Sequence, residues 1–368
     1  MIPAVRSSHK PRRGLLARAA RATAVLGLAG ALALAGCSSP GSSGGSGASG
    51  EAAGLKKMLV VTFLPLESFS FTPEMYAYSG GFFEKHGLDV QLQPVQGTAA
   101  AIQSLLGGAT PITRASTVDV FPAMEQGQEI RSIGTMAYKS NLRMVSVESN
   151  PITSTADMEG KTIGMGSVGG TSEKMLDLAL DADGIPADSV TRQAVPVTAA
   201  TLEVVRQGSL DGYIVSLDTS LAIEQQAEDA VVDPAGLTES PDIQTWITTA
   251  DNLEDPEKVA DLEAFLAAMD EAVQAVIDDA PNDFANVLAT LRDSGDWNFP
   301  ALADDEVSRA ALEIYTTETW VQQGGDVRLL ENDLDAWQTT YDTYVEAGLL
   351  KGGQDPLEWI TNDYVPGG

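Results

Sequence analysis

The stretch MGSVGGTSEK, residues 165–174, is the most specific polar feature of the sequence: Ser167, Val168, Gly169 and Gly170, then Thr171 and Ser172. Paired glycines let backbone N–H groups approach a bound group closely, and the three hydroxyls add adaptable donors and acceptors. At a helix start such groups suit an anion or another polar moiety. Gly97-Thr98 and Ser116-Thr117 repeat the pattern on a smaller scale, and Arg114 stands two residues before Ser116. A cation at that place is expected to meet an anionic group. The stretch is not a Walker loop, since no Gly-Lys-Ser/Thr follows, nor a nucleophile elbow, since Met165 stands where the first glycine belongs.

Catalytic and metal chemistry is thin by comparison. Past residue 36 the one histidine is His86, in the helix-ending EKHGLD, where it reads as solvated. DADGIPADS, residues 181–189, opens like a calcium loop but lacks the closing glutamate. No catalytic residue, cofactor or metal is therefore expected. Net charge narrows the partners further. With 22 Lys and Arg against 52 Asp and Glu, the chain carries −30, which argues against nucleic acid, whose binding needs basic phosphate contacts.

The elements that must position these residues alternate in type. MLVVTF (58–63), LDVQLQPV (88–95), PITRAS (111–116) and IRSIGTMAY (130–138) read as strands. Helices are predicted between them over 74–87, 99–108 and 117–128. The pattern restarts with strands at LRMVSVES (142–149), KTIGMGS (161–167), SVTRQAV (189–195) and DGYIVS (211–216), with helices over 172–184, 199–208 and 220–230. Such alternation predicts parallel, two-sided α/β sheets. Past Ala250 the chain reads as helices over 256–280, 282–293, 304–323 and 331–350. Ligands of open α/β sheets collect outside the carboxyl ends of the strands. Phe63, Leu64, Ser68, Tyr138 and Trp246 are expected there as an aromatic and polar wall, with Thr198, Ser216 and Asp218 facing them from the second half.

The single cysteine has a different setting. Arg6, Lys10, Arg12, Arg13, Arg18 and Arg21 precede an apolar run, Thr23–Ala35, too short to span a bilayer as a stable helix. That order is that of a secretory signal peptide. Leu34-Ala35-Gly36-Cys37 resembles the lipobox of bacterial lipoproteins, which implies cleavage before Cys37 and its lipidation. Two or three acyl chains would hold the chain at a membrane almost permanently. The Ser/Gly/Ala run that follows is predicted to be a flexible tether. Losing residues 1–36 would take the net charge to about −36.

GGFFEKHGLDVQLQPVQGTAAAIQSLLGGA, STADMEGKTIGMGSVGGTSEKML, RQGSLDGYIVS and YVEAGLL together resemble the periplasmic-type solute-binding proteins for nitrate, sulfonates, taurine and thiamine-pyrimidine precursors, over about Met58 to Val365. The resemblance implies a two-lobed, type II periplasmic-binding-protein-like α/β fold: parallel-rich sheets flanked by helices, a hinge of two crossover segments, and a helical tail packing on lobe 1. The expected organisation is a lipoprotein signal peptide over 1–36, a tether over 37–56, lobe 1 over 57–139 and 242–368, and lobe 2 over 140–241. It implies a monomeric receptor that hands a small solute to an ABC permease and its ATPase, anchored by Cys37 to the outer face of a membrane. Where relatives commonly carry Asp-Phe-Gly or Asp-Ile-Gly, this chain has GGATPITRAST, so the solute's identity does not carry over. Arg114 and the 167–172 helix start point to an anionic solute. The alternative is a neutral or cationic heteroaromatic, stacked on the aromatics and paired with Glu67 or Asp218. A third is an enzyme on the same fold, as in the chorismate dehydratase branch, though such an enzyme would need no signal segment.

Overall fold

A computed structural model of the chain describes residues 54–322 and 326–367. The predicted signal peptide, Cys37 and nearly all of the predicted tether lie outside the described residues. Two five-stranded sheets form the frame. In the first, β1 (Lys56–Thr62) pairs in parallel with β2 (Leu88–Pro94) and β3 (Thr113–Ser116), while β10 (Gln244–Thr249) runs antiparallel between β3 and β4 (Ile130–Ala137). In the second, β6 (Thr162–Met165) pairs in parallel with β7 (Thr191–Ala194) and β8 (Gly212–Ser216). There β5 (Leu142–Val147) runs antiparallel between β8 and β9 (Ala230–Asp233). The orders are β2-β1-β3-β10-β4 and β7-β6-β8-β5-β9. Each sheet is thus mixed: a parallel half that presents three carboxyl ends, and an antiparallel half made by the strands next to the crossings. The chain passes between the sheets at 138–141 and again at 234–243.

Helices cover both sheets. The first lobe holds α1 (Thr72–Ser79), α2 (Phe82–Lys85), α3 (Thr98–Leu106) and α4 (Thr117–Glu125). The second holds α5 (Thr171–Ala182), α6 (Leu202–Arg206) and α7 (Leu217–Gln226). The tail adds α8 (Ala250–Leu253), α9 (Pro256–Asp278), α10 (Ala285–Ser294), α11 (Pro300–Ala303), α12 (Asp305–Ile314) and α13 (Leu334–Glu346). It packs back on the first sheet in two places. From α9, Phe265 stacks on Phe83 and meets Trp246 edge-on at 4.9 Å between centroids. From α13, Trp337, Tyr341 and Tyr344 surround Phe121 of α4. Such aromatic contacts bury large apolar areas and fix the tail's orientation. Among the described residues no helix is long and apolar enough to cross a membrane.

Four sequence expectations are corrected. The helix predicted over 74–87 is two, because Gly81 takes a left-handed φ of 74° and the chain turns there. Gly80 must also lack a side chain, since a Cβ would lie 2.7 Å from Tyr76 O. The helix predicted from 282 starts at Ala285, after two consecutive left-handed residues, Asp283 and Phe284. The Asp279 carboxylate offsets that strain by accepting the Asn286 and Val287 N–H groups at 2.9 and 3.0 Å. The helix predicted to reach residue 230 stops at Gln226, and Ala230–Asp233 form the edge strand β9 instead. The helix predicted to reach residue 323 ends at Ile314, and Tyr315–Thr319 make one π-helical turn.

Candidate functional site

The carboxyl ends of β1, β2 and β3 face the first lobe's side of a cleft, and those of β6, β7 and β8 face the second lobe's side. After β1 the backbone is held by the Thr62 hydroxyl, which donates to Leu64 O at 2.9 Å. Gly97 N–H then donates to Phe63 O at 2.7 Å, tying the loop after β2 to the loop after β1. Gly97 has a φ of 89° and no side chain to cap α3, so the first N–H groups of that helix receive no side-chain oxygen from their cap. Phe63 is half-buried and Leu64 is 44% exposed. Ser68 caps the short turn Phe69–Phe71 and also reaches across the cleft.

Arg114 does not stand free. It is 1% exposed, and its Nη1 lies 2.9 Å from Glu74 of α1 while donating to Ser70 O at 3.0 Å; Nη2 donates to Ser70 Oγ at 3.1 Å. Its guanidinium carbon sits 4.4 Å from the centroid of Phe71 and 5.5 Å from that of Phe63. Burial pushes the Glu74 carboxyl up and the Arg114 guanidinium down, and each charge opposes the other's shift. The cation expected to meet a bound anion is already matched by a carboxylate of its own lobe.

The hydroxyls after β3 are committed as well. Ser116 Oγ accepts from Val118 N–H and donates to Asp242 in the second crossing segment. Thr117 Oγ1 meets the Tyr344 hydroxyl at 3.1 Å, and Tyr344 donates onward to Pro241 O. Two further residues expected at the wall lie in the core. Trp246 is fully buried in the middle of β10 against Phe265, and Tyr138 is turned toward the tail, where its hydroxyl donates to Glu331 O at 2.6 Å. Tyr138 directly follows β4 and Trp246 lies within β10, and the tail packed behind this half of the sheet takes both inward.

The second lobe's loops are open. Gly166, Ser167, Val168 and Gly169 are exposed, Gly170 is half-buried, and Gly169 needs its φ of 81°. The loop's hydrogen-bonding capacity is partly spent: Gly169 N–H donates to the Glu173 carboxylate of α5 itself, so the helix start already faces an anion. Thr171 Oγ1 donates to Asp119 of α4 at 2.7 Å, with Lys174 on the same carboxylate, and Ser172 is half-buried beside them. After β7, Thr198 is exposed and its carbonyl accepts from the Tyr213 hydroxyl. After β8, Ser216 bonds Thr219 within its own turn, while Asp218 is 2% exposed and accepts from Ser68 at 2.7 Å and from Tyr315 at 3.5 Å.

Sequence reasoning missed that second cross-cleft link. Tyr315 comes from the π-helical turn of the tail and takes a hydrogen bond from Asn141 in the first crossing segment at 2.9 Å. Burial raises the Asp218 carboxyl against the hydrogen bonds from Ser68 and Tyr315. Glu74 was missed too, although a lone acid inside the apolar run TPEMYAY was a signal that a buried partner existed. Three of the seven exposed large apolar side chains among the described residues, Leu64, Val168 and Val197, follow β1, β6 and β7, so the strand ends on both sides of the cleft carry bare apolar surface. A groove of about 460 Å³ lies elsewhere, between the end of α5 and residues 347–349, and none of the residues expected at the site lines it. No group of three or more His, Cys, Asp or Glu among the described residues is placed to hold a metal ion.

A family model described as NMT1/THI5 like matches residues 68–282. The riboflavin-binding protein RibY of Chloroflexus aurantiacus is 24% identical over 331 residues, which cover 84% of this chain and 86% of RibY. Among solved structures, the periplasmic aliphatic sulphonate binding protein SsuA from Escherichia coli has a TM-score of 0.60 at 16% identity, covering 83% of this chain and 97% of that one. The periplasmic nitrate-binding protein NrtA from Synechocystis PCC 6803 has a TM-score of 0.56 at 15% identity, with coverage of 84% and 87%. The fold is not confined to binders: the desulfurization enzyme DSZB has a TM-score of 0.52 at 15% identity, covering 84% and 97%. The two sheets, their strand orders and the cleft between their carboxyl ends are therefore those of the periplasmic binding protein fold, and with more than half of its length matched the chain belongs to the NMT1/THI5-like family.

Proposed function

We propose that the protein is the solute-binding component of an ABC importer, anchored by lipid at Cys37 to the outer face of a cell membrane, and that it delivers a small heteroaromatic or otherwise apolar-faced solute to its permease. One observation carries the choice of solute. Both features expected to hold an anion are already neutralised from within, Arg114 by Glu74 and the start of α5 by Glu173, while Leu64, Val168 and Val197 leave apolar surface at the strand ends. A charge paired in its own lobe gives an incoming anion little net attraction, whereas exposed apolar surface gains from being covered. The name of RibY agrees with this reading. The basic and apolar segment before Cys37 favours a receptor over an enzyme on the same fold, and a monomer suffices for the clamp. A sulfonate, carboxylate or nitrate is the second reading, favoured by the start of α3, where Gly97 supplies no capping oxygen.

Thermal melting and calorimetry with riboflavin, a pyrimidine, an alkyl sulfonate, taurine and nitrate separate the two. Riboflavin or the pyrimidine should bind, stabilising the fold by about 2.7 kcal/mol at a hundredfold excess over Kd. Val168→Ser should then weaken that binding about tenfold through lost apolar contact. Stabilisation by the anions alone would overturn the heteroaromatic reading. The anchor is tested separately: Cys37→Ser should move the protein out of the membrane fraction, and unchanged membrane association would count against lipidation.

A further inference from the structure

Arg114 and Glu74 form an ion pair that is poorly built for stability. Their 2.9 Å contact is not aligned as a hydrogen bond, so both Glu74 oxygens and Arg114 Nε are buried without a hydrogen-bond partner. Burying two charges with incomplete hydrogen bonding often contributes nothing net to folding, and an apolar pair of the same volume can do as well. What the pair does hold is the segment between β1 and α1. From its fixed place on β3, Arg114 reaches Ser70 through two nitrogens, lies over Phe71 and approaches Phe63, whose ring is 5.2 Å from that of Phe71. Glu74, one turn further on, holds the same guanidinium from α1. This segment contains Phe63 and Leu64, half-buried and exposed just past the carboxyl end of β1, and Ser68, which bonds Asp218 of the second lobe.

We infer that Arg114 is the positioning residue of the solute wall: its planar fork fixes residues 63–71, so that Phe63 and Leu64 are presented to the solute and Ser68 to Asp218, without the guanidinium itself touching the solute. The inference rests on the heteroaromatic reading for the identity of the solute, but not for the wall. Lysine cannot replace the fork, since a single ammonium reaches Glu74 or Ser70 but not both nitrogens' partners in one plane.

The test is hydrogen exchange by mass spectrometry on the full chain, first without solute, in the wild type, in Arg114→Lys and in Ser70→Ala. Exchange within residues 63–71 should accelerate about tenfold or more in Arg114→Lys, and less in Ser70→Ala, while β6, β8 and their helices keep wild-type rates, as expected for a locally opened segment. Riboflavin affinity should fall in the same order. Unchanged exchange in 63–71, or acceleration spread evenly over both lobes, would overturn the inference. If Arg114→Lys does not fold, Ser70→Ala decides alone, since it removes one bond of the fork and leaves the ion pair. Failure of both riboflavin and the pyrimidine to bind the wild type would remove the heteroaromatic reading and leave the wall standing. Unchanged exchange with riboflavin still bound would do the reverse.

Discussion

The loop after β1 and the loop after β6 occupy the same place in their sheets, each leaving the strand between two parallel neighbours, and they are built from opposite materials. The first, FLPLESFSF, carries three phenylalanines, is buried or half-buried except at Leu64 and Glu67, and is held by a cation from the neighbouring strand. The second, GSVGG, has no aromatic, is mostly exposed and is held by the first turn of the helix it enters, through the Glu173 carboxylate and the backbone N–H groups that donate to Gly170 O. The loop after β1 therefore meets more of its ordering cost during folding than the loop after β6 does. A preformed wall reduces the ordering that a solute must offset, while an open glycine loop can close over solutes of somewhat different outline.

If that contrast is right, the two loops should answer mutation very differently. Arg114→Ala leaves the Glu74 carboxylate buried with no counter-charge, a change that costs about 3 to 5 kcal/mol, whereas Val168→Ser on the exposed loop should stay within about 0.5 kcal/mol of the wild type. Urea unfolding of the two variants measures both. Adding Glu74→Gln to Arg114→Ala should recover part of the loss, because the remaining group is no longer charged. A loss below 1 kcal/mol in Arg114→Ala would mean that the pair is solvated in solution and that the wall is not preformed.

The sequence disclosed more of the frame than of the wall. Strands β1 to β8, α3, α4, α5 and the long helix α9 follow from period and punctuation, because the apolar runs are short and bounded by glycine or proline, whereas β9 begins where a helix was expected to end. The hydroxyl-rich helix starts at Gly97, Ser116 and Ser167 were also visible. What those hydroxyls and Arg114 bond to was not, since the partners lie far along the chain: Ser116 with Asp242, Thr117 with Tyr344, Ser68 with Asp218. A strand end can be recognised locally, but whether its side chain faces the cleft or the neighbouring helix depends on what packs behind it. Trp246 shows the point: its position in QTWITT suits a strand, and only the docking of α9 places it in the core.

The buried carboxylate of the second crossing segment predicts a pH dependence of its own. Asp242 is 3% exposed, and burial, with the Asp119 charge adding to it and the Ser116 hydrogen bond opposing, pushes its carboxyl up to about 6. Tyr344, raised by burial and by Asp242, and Thr117 complete its polar surroundings, while Lys174 reaches it only through Asp119. An unfolded aspartate releases its proton near 3.9. Between roughly pH 4 and pH 6 the folded state therefore binds more protons at this position than the unfolded state, and stability from this group falls as pH rises, then levels off above about pH 6. At pH 7 the buried carboxylate costs up to about 3 kcal/mol. Asp242→Asn keeps an oxygen for Ser116 and removes the charge. Subtracting its stability from that of the wild type at each pH cancels the titration of the other carboxylates. The difference should be small near pH 4 and should widen in favour of the variant up to pH 6. A flat difference from pH 4 to 7, or a variant less stable than the wild type at pH 7, would show that Asp242 is not held as a buried charge against the start of α4.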